Sequence, residues 1–598
     1  MAGSDGEAYD EAEFKQIHDA AVSNFTSDPY RPLDFRSEDG ERILTFRAVL
    51  VGLLCGALIN ASNIYLGLKT GWAMSANLFA SLIGFALLKS PRNGLQCLPF
   101  MRGSFGPREN NIVQTVATSA GGMAAVFNSA IPAMYQLNLL STPASDFHRL
   151  AALVAIGGYL GLFIGAPLRR FFIVHAARDL SLIFPTPSAT AIAIRDMHEA
   201  ADDDSSITQR KMRVLTQSLS FALVLRVVSQ FAIGLFWDWH PFVWYMLWNP
   251  ASTTARGLES WGWYFEWTPA FIGTGMLVGL PTACSFFAGS LLAWGVIGPF
   301  LVSKSLAFGE LLPGSNLVSY YSMSADFTTA DHASPRYWLI WPAVACMLAV
   351  SLTEIVCQWR LIWILSKSIW SWFKQWSTPS GSKRKEGSAI SDDQVGLHIW
   401  LPGLIAIVTT ACLLMNSMFG MPVRETMLAV SMSFLFTILT VHATGTTDIT
   451  PLTGASAATQ VALASETSNR GWAPPKVQLL SLLGGTLTAL GASQASDLTA
   501  DFRVGFLLRT PAQTQWLAQA IGTAFSCIVA PGIYILFNSA YSCIGDGNAL
   551  QCPFPAPAAS AWRAIATTAL SPSDSIPRSS IVSSGLGVGR GYVISSQI

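Results

Sequence analysis

Four short stretches set amide, phenol, carboxylate and hydroxyl groups inside otherwise apolar sequence. INASNIYLGLKTGW (Ile59–Trp72) carries Asn60, Asn63, Tyr65 and Lys69. Asn60 and Asn63 are spaced to share a helix face, and Gly67 and Gly71 flank Lys69, where unwinding would free backbone carbonyls for a ligand. A glycine-capped helix end with a snorkelling lysine explains the same residues. PRENNIVQ (Pro107–Gln114) holds Glu109, Asn110 and Gln114. A buried Glu109 could exchange a proton, because desolvation favours the neutral acid. In the first turn of a helix it would instead serve the dipole. HATGTTDITPLTGASAATQ (His442–Gln460) surrounds one acid, Asp448, with Gly, Thr and Pro. It reads as irregular chain between apolar runs, tolerated in a bilayer only where protein or a water cavity covers it; a cytosolic loop is the alternative. SQASDLTADFRVGFLLRTP (Ser493–Pro511) places Asp497 and Asp501 one helical turn apart with Arg503 close by. Such a group could bind a cation or shuttle a proton, or form a capped, solvated turn.

The elements that must position these groups are membrane helices. The chain has 598 residues, 51% hydrophobic and 12% charged, with a mean hydropathy of +0.41. Each spanning helix needs roughly 20 mainly apolar residues. Qualifying runs are Leu44–Leu68, Trp72–Leu88, Ile112–Leu137, Leu150–Val174, Leu215–Trp237, Trp338–Cys357, Leu397–Met415, Met427–His442, Val477–Gly491 and Trp516–Phe537. Thr268–Val302, with Pro281 and several glycines, is long for one span and reads as two short or broken helices. The fold class is therefore all-α: a polytopic membrane protein of roughly 12–14 helices, some broken or re-entrant.

One phrase occurs twice, FPTPSATAIAIRD at Phe184–Asp196 and FPAPAASAWRAIA at Phe554–Ala566. A weaker echo, VQTVATSAGGMAAVF at Val113 and VQLLSLLGGTLTALG at Val477, recurs at nearly the same distance along the chain. Duplicated breaks of this kind suggest two related halves, as in secondary transporters. The expected organisation is a cytosolic tail over 1–43, a first membrane half over 44–376, a polar linker over 377–396, a second half over 397–570 and a Ser/Gly-rich tail over 571–598. Lys and Arg concentrate in alternate loops and in the linker, which places the N-terminus in the cytosol. That parity requires Thr268–Val302 to cross twice.

The formal net charge is zero, so nothing favours nucleic acid. No Walker loop, GxSxG elbow, HExxH pair or zinc-like Cys/His spacing occurs, so neither an enzyme, a metal site nor a cofactor is expected. Most of the nine cysteines are scattered singly; Cys543 and Cys552 share one polar loop, where a disulfide stays open. Arg226/Gln230 and Glu354 are explained by interior polar packing.

NIYLGLKTGW, ENNIVQTVATSAGGM, FPTPSATA, SDLTADFRVGFLLRTP, QAIGTAFSCIVAPGIYILF and FPAPAASAWRAIA, in that order, resemble the oligopeptide transporter (OPT) superfamily. The likeness runs from about Leu44 to Ala569 and is nearer the yellow-stripe-like and bacterial-type branch, since the NPGPFN and KIPPR signatures of the peptide branch are absent. The resemblance implies proton-coupled import of short peptides or of metal chelates such as metal–nicotianamine or siderophore complexes. On that reading Asn60, Asn63, Tyr65, Lys69, Asn110 and Gln114 bind substrate, while Glu109, Asp448, Asp497 and Asp501 couple protons. The implied partners are the lipid bilayer, substrate and protons; a homo-oligomer stays open, and the plasma membrane is expected over an internal one. Family members usually continue for several spans beyond the second FPxP phrase, whereas after Leu570 this chain turns to Ser and Gly with no 18-residue apolar run. The second half is accordingly expected to be incomplete, which makes a truncated, non-transporting relative one alternative and an uncoupled permease or channel the other.

Overall fold

The computed structural model describes residues 28–33, 42–74, 77–89, 103–175, 177–180, 182–202, 206–232, 235–236, 238–278, 280–312, 317–357, 363, 394–546, 552–568 and 576–580. Most of the expected linker, the first 27 residues, most of the tail and the side chains of Gln230 and Glu354 lie outside them.

The described chain is helical apart from two short antiparallel strand pairs, β1 (Asp238–Trp239) with β2 (Phe265–Glu266) and β3 (Glu310–Leu311) with β4 (Val318–Ser319). In chain order the helices are α1 (Phe46–Thr70), α2 (Asn77–Leu88), α3 (Pro107–Gly122), α4 (Ala130–Gln136), α5 (Phe147–Arg169), α6 (Pro185–Asp202) and α7 (Ser206–Phe231). There follow α8 (Pro241–Trp248), α9 (Thr253–Ser260), α10 (Pro269–Val278), α11 (Leu280–Ser290), α12 (Gly298–Ser303) and α13 (Pro335–Cys357). The last are α14 (Leu397–Phe419), α15 (Val423–Thr447), α16 (Leu452–Ser468), α17 (Pro474–Leu507), α18 (Ala512–Ala540) and α19 (Pro557–Thr568). Among the described residues six stretches are long and apolar enough to cross a bilayer: Phe46–Thr70, Phe147–Val174, Ala283–Ser303, Leu397–Phe419, Val423–Thr447 and Ala512–Ala540. Of the stretch Thr268–Val302 expected to be broken, α10 and α11 stand on either side of residue 279, which lies outside the described residues, and α11 runs through a π-helical turn at Leu291–Ile297 into α12.

Close packing of small residues sets the directions of the central helices. Gly52 lies against Val113 and Val116, Gly56 against Ala117 and Ala120, and Gly121 against Ile59, so α1 and α3 run parallel. In the later part of the chain, Thr488 donates to the Ala429 carbonyl at 3.3 Å and the Thr444 and Ser496 hydroxyls meet at 2.9 Å, so α15 and α17 also run parallel. The two pairs oppose each other, because Asp497 meets Gly122 while Asp501 meets Gln114. Each pair takes a third helix from the other part of the chain. On α17 lies α5, through Gly157 to Leu490, Gly161 to Gln494 and Gly165 to Leu498. On α3 lies α18, through Gly522 to Ser119, and its Tyr534 ring packs on Phe127 in the turn that follows α3.

Both pairs carry a break of the same build. Helix α1 ends at Gly71 in the left-handed conformation (φ 81°), its N–H bonded to the Gly67 carbonyl at 2.8 Å. Helix α15 ends at Asp448, also left-handed (φ 63°), its N–H bonded to the Thr444 carbonyl at 3.0 Å. Asn and Asp are the non-glycine residues that tolerate this conformation best. The chain then returns: α2 runs back along α3 through Asn77 to Thr118, and α16 runs back along α17 through Thr459 to Thr488.

His442–Gln460 is more regular than expected. Helix continues through Thr447, and only Asp448–Pro451 is irregular before α16. The Thr446 and Thr447 hydroxyls bond back to the carbonyls of His442 and Ala443, at 3.2 and 2.8 Å, so the threonines that read as breakers are satisfied inside the helix.

The duplicated phrase docks on these breaks, and crosswise. The Phe184 N–H (φ 52°) bonds to the Gly445 carbonyl of α15 at 2.9 Å, and α6 begins at Pro185. The Ala556 N–H (φ 41°) bonds to the Leu68 carbonyl of α1 at 2.8 Å, and α19 begins at Pro557. Leu68 and Gly445 stand at the same distance before Gly71 and Asp448. The structural counterpart of Phe184 is thus Ala556, two residues beyond the Phe554 with which the letters align. Either proline of an FPxP phrase can occupy the first helical position, and the backbone bond selects which one does.

Candidate functional site

A cavity of about 420 Å³ lies where both breaks, α17 and the start of α19 meet. Its walls include Trp72, Asn128, Asp448, Thr450, Ser493 and Trp562, together with the open backbone around Gly71 and Gly122. Small residues and interrupted helix keep this space open, since regular helix here would fill it with side chains.

Asp448 reaches the cavity directly, and its carboxylate accepts a hydrogen bond from the Thr186 hydroxyl. The aspartate thereby joins α15 to the first turn of α6. Asn63 has a different place from the one expected of a ligand-facing amide. Its side chain donates to the Met74 carbonyl at 3.0 Å and accepts from the Met74 N–H at 2.9 Å, so it latches the returning strand to α1. The Asn63 carbonyl in turn accepts from Asn128 Nδ2 at 3.0 Å. Gly67 makes room for that contact, because a Cβ there would overlap the Asn128 amide.

Other expected site residues sit behind the walls. Asn60 donates to the Ala120 carbonyl at 3.1 Å, bracing α1 on α3. The Tyr65 hydroxyl accepts from Arg226 at 3.0 Å, while its ring packs on Phe537 and Phe554. Lys69 shares an electrostatic neighbourhood with Asp238, Glu266 and Arg226. Asn110 is buried 3.5 Å from His198, and Gln114 donates to Asn111 at 2.8 Å. Glu109 forms a buried pair with Arg47, whose Nε and Nη2 each donate at 2.7 Å, and it also accepts from Thr45. That clamp ties the starts of α1 and α3 together.

Asp497 and Asp501 lie on the α17 face toward α3. A Cβ on Gly122 would stand 2.9 Å from Asp497 Oδ2, which puts this half-buried carboxylate directly behind Gly122, a residue of the cavity wall. Asp501 is fully buried and accepts from Gln519 and from Asn77, the latter at 3.4 Å. Arg503 does not complete the group. It donates to the Pro29 carbonyl at 2.6 Å and to the Ser188 hydroxyl at 3.4 Å, and stacks over Tyr30. Two residues along a helix is about 200° of rotation, which turns Arg503 away from Asp501.

Asn77, Asn128, Thr186, Gln494 and Gln519 were not among the expected residues. Asn77 and Gln519 lie inside apolar runs, so the criterion that singled out Asn60 would have found them. Among the described residues no group of three or more His, Cys, Asp or Glu is placed to hold a metal ion. A second cavity, of about 660 Å³, is lined by Glu310, Arg336, Phe554 and Arg563 beside a Cys543–Cys552 disulfide, which answers the open question about that cysteine pair.

The family model for OPT oligopeptide transporter proteins matches residues 43–594. The chain belongs to the oligopeptide transporter family. Probable metal-nicotianamine transporter YSL5 of Arabidopsis thaliana is 24% identical over 592 residues, covering 90% of this chain and 74% of that protein. Probable metal-nicotianamine transporter YSL11 of rice, Oryza sativa subsp. japonica, is 23% identical, again covering 90% and 74%. Metal-nicotianamine transporter YSL2 of Arabidopsis thaliana is 22% identical, covering 90% and 79%. These relatives agree with the yellow-stripe-like branch suggested by the motifs. As a member of this family the chain is an integral membrane transporter, not an enzyme.

Proposed function

We propose that this OPT member is a proton-coupled symporter that imports metal-chelate complexes by alternating access. The observation that carries the reading is the 420 Å³ cavity between two broken helix ends of opposite direction, with Asp448 in its wall and Asp497 beside it. Opposed hairpins around one site allow either side to open in turn. The names of its relatives favour a metal–nicotianamine complex over a short peptide. Such a chelate carries carboxylates, which the N–H groups of unwound backbone and the Trp72 and Trp562 indole N–H can meet. The disulfide supports a cytosolic N-terminus, because it lies toward the opposite end of α18 from the Arg47–Glu109 clamp and oxidised pairs persist outside the cytosol.

The test is uptake by vesicles containing the full-length protein, with metal–nicotianamine and labelled tetrapeptides compared under an imposed pH gradient. Chelate uptake accompanied by proton entry is expected; chelate uptake indifferent to the gradient would leave an uncoupled permease. Asp448→Asn and Asp448→Gly both tolerate the left-handed backbone and remove the charge. Each should lower gradient-driven uptake at least tenfold, about 1.4 kcal/mol or more, while protein in the membrane is unchanged. Normal uptake by both would remove Asp448 from the mechanism.

A further inference from the structure

We propose that Asp497 and Asp501 divide their work: Asp501 is a fixed negative charge held by Gln519 and Asn77, and Asp497 is the group that takes up and releases the proton. This rests on the coupling reading above and assigns roles within it.

Two hydrogen-bonded arms converge on Asp501, and both aim donors at it. In the first, Gln494 Nε2 donates to Gln519 Oε1 at 2.6 Å, and Gln519 Nε2 donates to Asp501 Oδ2. In the second, the Thr118 hydroxyl divides its proton between the Gln114 carbonyl at 2.9 Å and Asn77 Oδ1 at 3.1 Å, and Asn77 Nδ2 donates to Asp501 Oδ1 at 3.4 Å. With its oxygen turned toward Gln494 or Thr118, each amide presents its N–H₂ end to the carboxylate. Donors on both sides favour the charged form and offset part of what full burial costs it, whereas a protonated carboxyl would need an acceptor that neither arm offers. Gln515 fastens the same turn through the Asp501 carbonyl at 2.8 Å.

Asp497 has the opposite surroundings. It is half-buried, it stands behind Gly122, whose backbone lines the cavity, and among the described residues no hydrogen-bond donor reaches its carboxylate. Its near charge is Asp501, one turn along the same helix. Two carboxylates this close do not both ionise readily, so the one without donors carries the proton. The other groups facing the pair are neutral: Gln114 and Thr118 from α3, Asn77 from α2, and Gln519 and Thr523 from α18. Arg503 is engaged by Pro29 and Ser188, and Asp448 by Thr186. The amide arms also give the pair mechanical reach. Asn77 is the first residue of α2, four positions after Ala73 in the cavity wall, so α2 is anchored to the fixed charge.

The test compares variants of the full-length protein in vesicles, with metal–nicotianamine as probe, reading gradient-driven accumulation against pH and exchange of labelled for unlabelled chelate. Asp497→Asn is expected to lose at least ten times more accumulation than exchange. Asp501→Asn should still accumulate chelate, with its pH profile displaced toward lower pH, because Asp497 loses the neighbouring charge. Gln519→Leu should displace the profile toward higher pH, since an Asp501 short of one donor competes for the proton. A merely structural defect would lower uptake alike at every pH. Coupled, pH-dependent accumulation by Asp497→Asn together with its loss in Asp501→Asn would overturn the assignment alone. Wild-type uptake without proton entry would overturn the coupling reading and this one with it. If Asp497→Asn fails to reach the membrane, the opposed shifts of the other two variants decide, and shifts in the same direction overturn the proposal.

Discussion

The buried Arg47–Glu109 pair shows how one residue can look like machinery and sit in the frame. Glu109 was a proton-coupling candidate because an acid among amides in an apolar segment invites that reading. In the fold it receives two bonds from one guanidinium and a third from Thr45, at the joint of α1 and α3. Removing one partner of such a pair costs about 3–5 kcal/mol, because the other charge is left buried and alone. Glu109→Gln should therefore lower the midpoint of thermal unfolding in detergent markedly. The double variant Arg47→Met/Glu109→Leu should recover most of the loss, and the pH profile of whatever uptake remains should match wild type. A displaced profile would return Glu109 to the coupling machinery.

The broken helix is the element on which the site depends, and its parts were unequally legible. Gly71, two glycines and a lysine before Trp72, announces a helix end on composition. Asp448 announces a break too, but not that Thr446 and Thr447 stay helical by bonding back to carbonyls one turn earlier. The role of Gly67 could not be read at all, because the Asn128 amide that needs its space arrives from a distant turn after α3. Gly67→Ala should displace that amide and release the Asn63 carbonyl, costing about 1–3 kcal/mol for a buried bond lost. Thermal unfolding in detergent would show the loss, and Asn128→Ala should give a similar one. Near-additive losses in the double variant would contradict the shared contact, since coupled residues are not additive.

For the molecule as a whole, the two parts of the chain are interlocked. Helix α5 packs on α17, α18 packs on α3, and each FPxP segment bonds to the break in the other part. Residues 1–376 and 377–598 expressed separately should each run as aggregates in size-exclusion chromatography. Co-expression should restore a single co-purifying peak, and a monodisperse fragment on its own would count against the interlock. The Cys543–Cys552 bond closes a short loop just before the second FPxP segment. Removing it with the double Cys→Ser variant should cost about 2–3 kcal/mol by the loop-closure estimate, read as a lower unfolding midpoint.

Composition and the lengths of apolar runs were enough to establish an all-α membrane protein, because a bilayer leaves helix as the main way to satisfy backbone polar groups over some twenty apolar residues. Motif order was enough to indicate the family, and the repeated phrase to indicate that something in the chain recurs. Neither reveals direction or partner. That Phe184 corresponds to Ala556, that Arg503 turns from Asp501 to Pro29, and that two amide arms end on Asp501 are facts about contacts between segments far apart in the chain. A one-dimensional pattern says which residues are too polar to face lipid. Which of them meet, and which one is left without donors behind a cavity wall, is decided only when the helices pack.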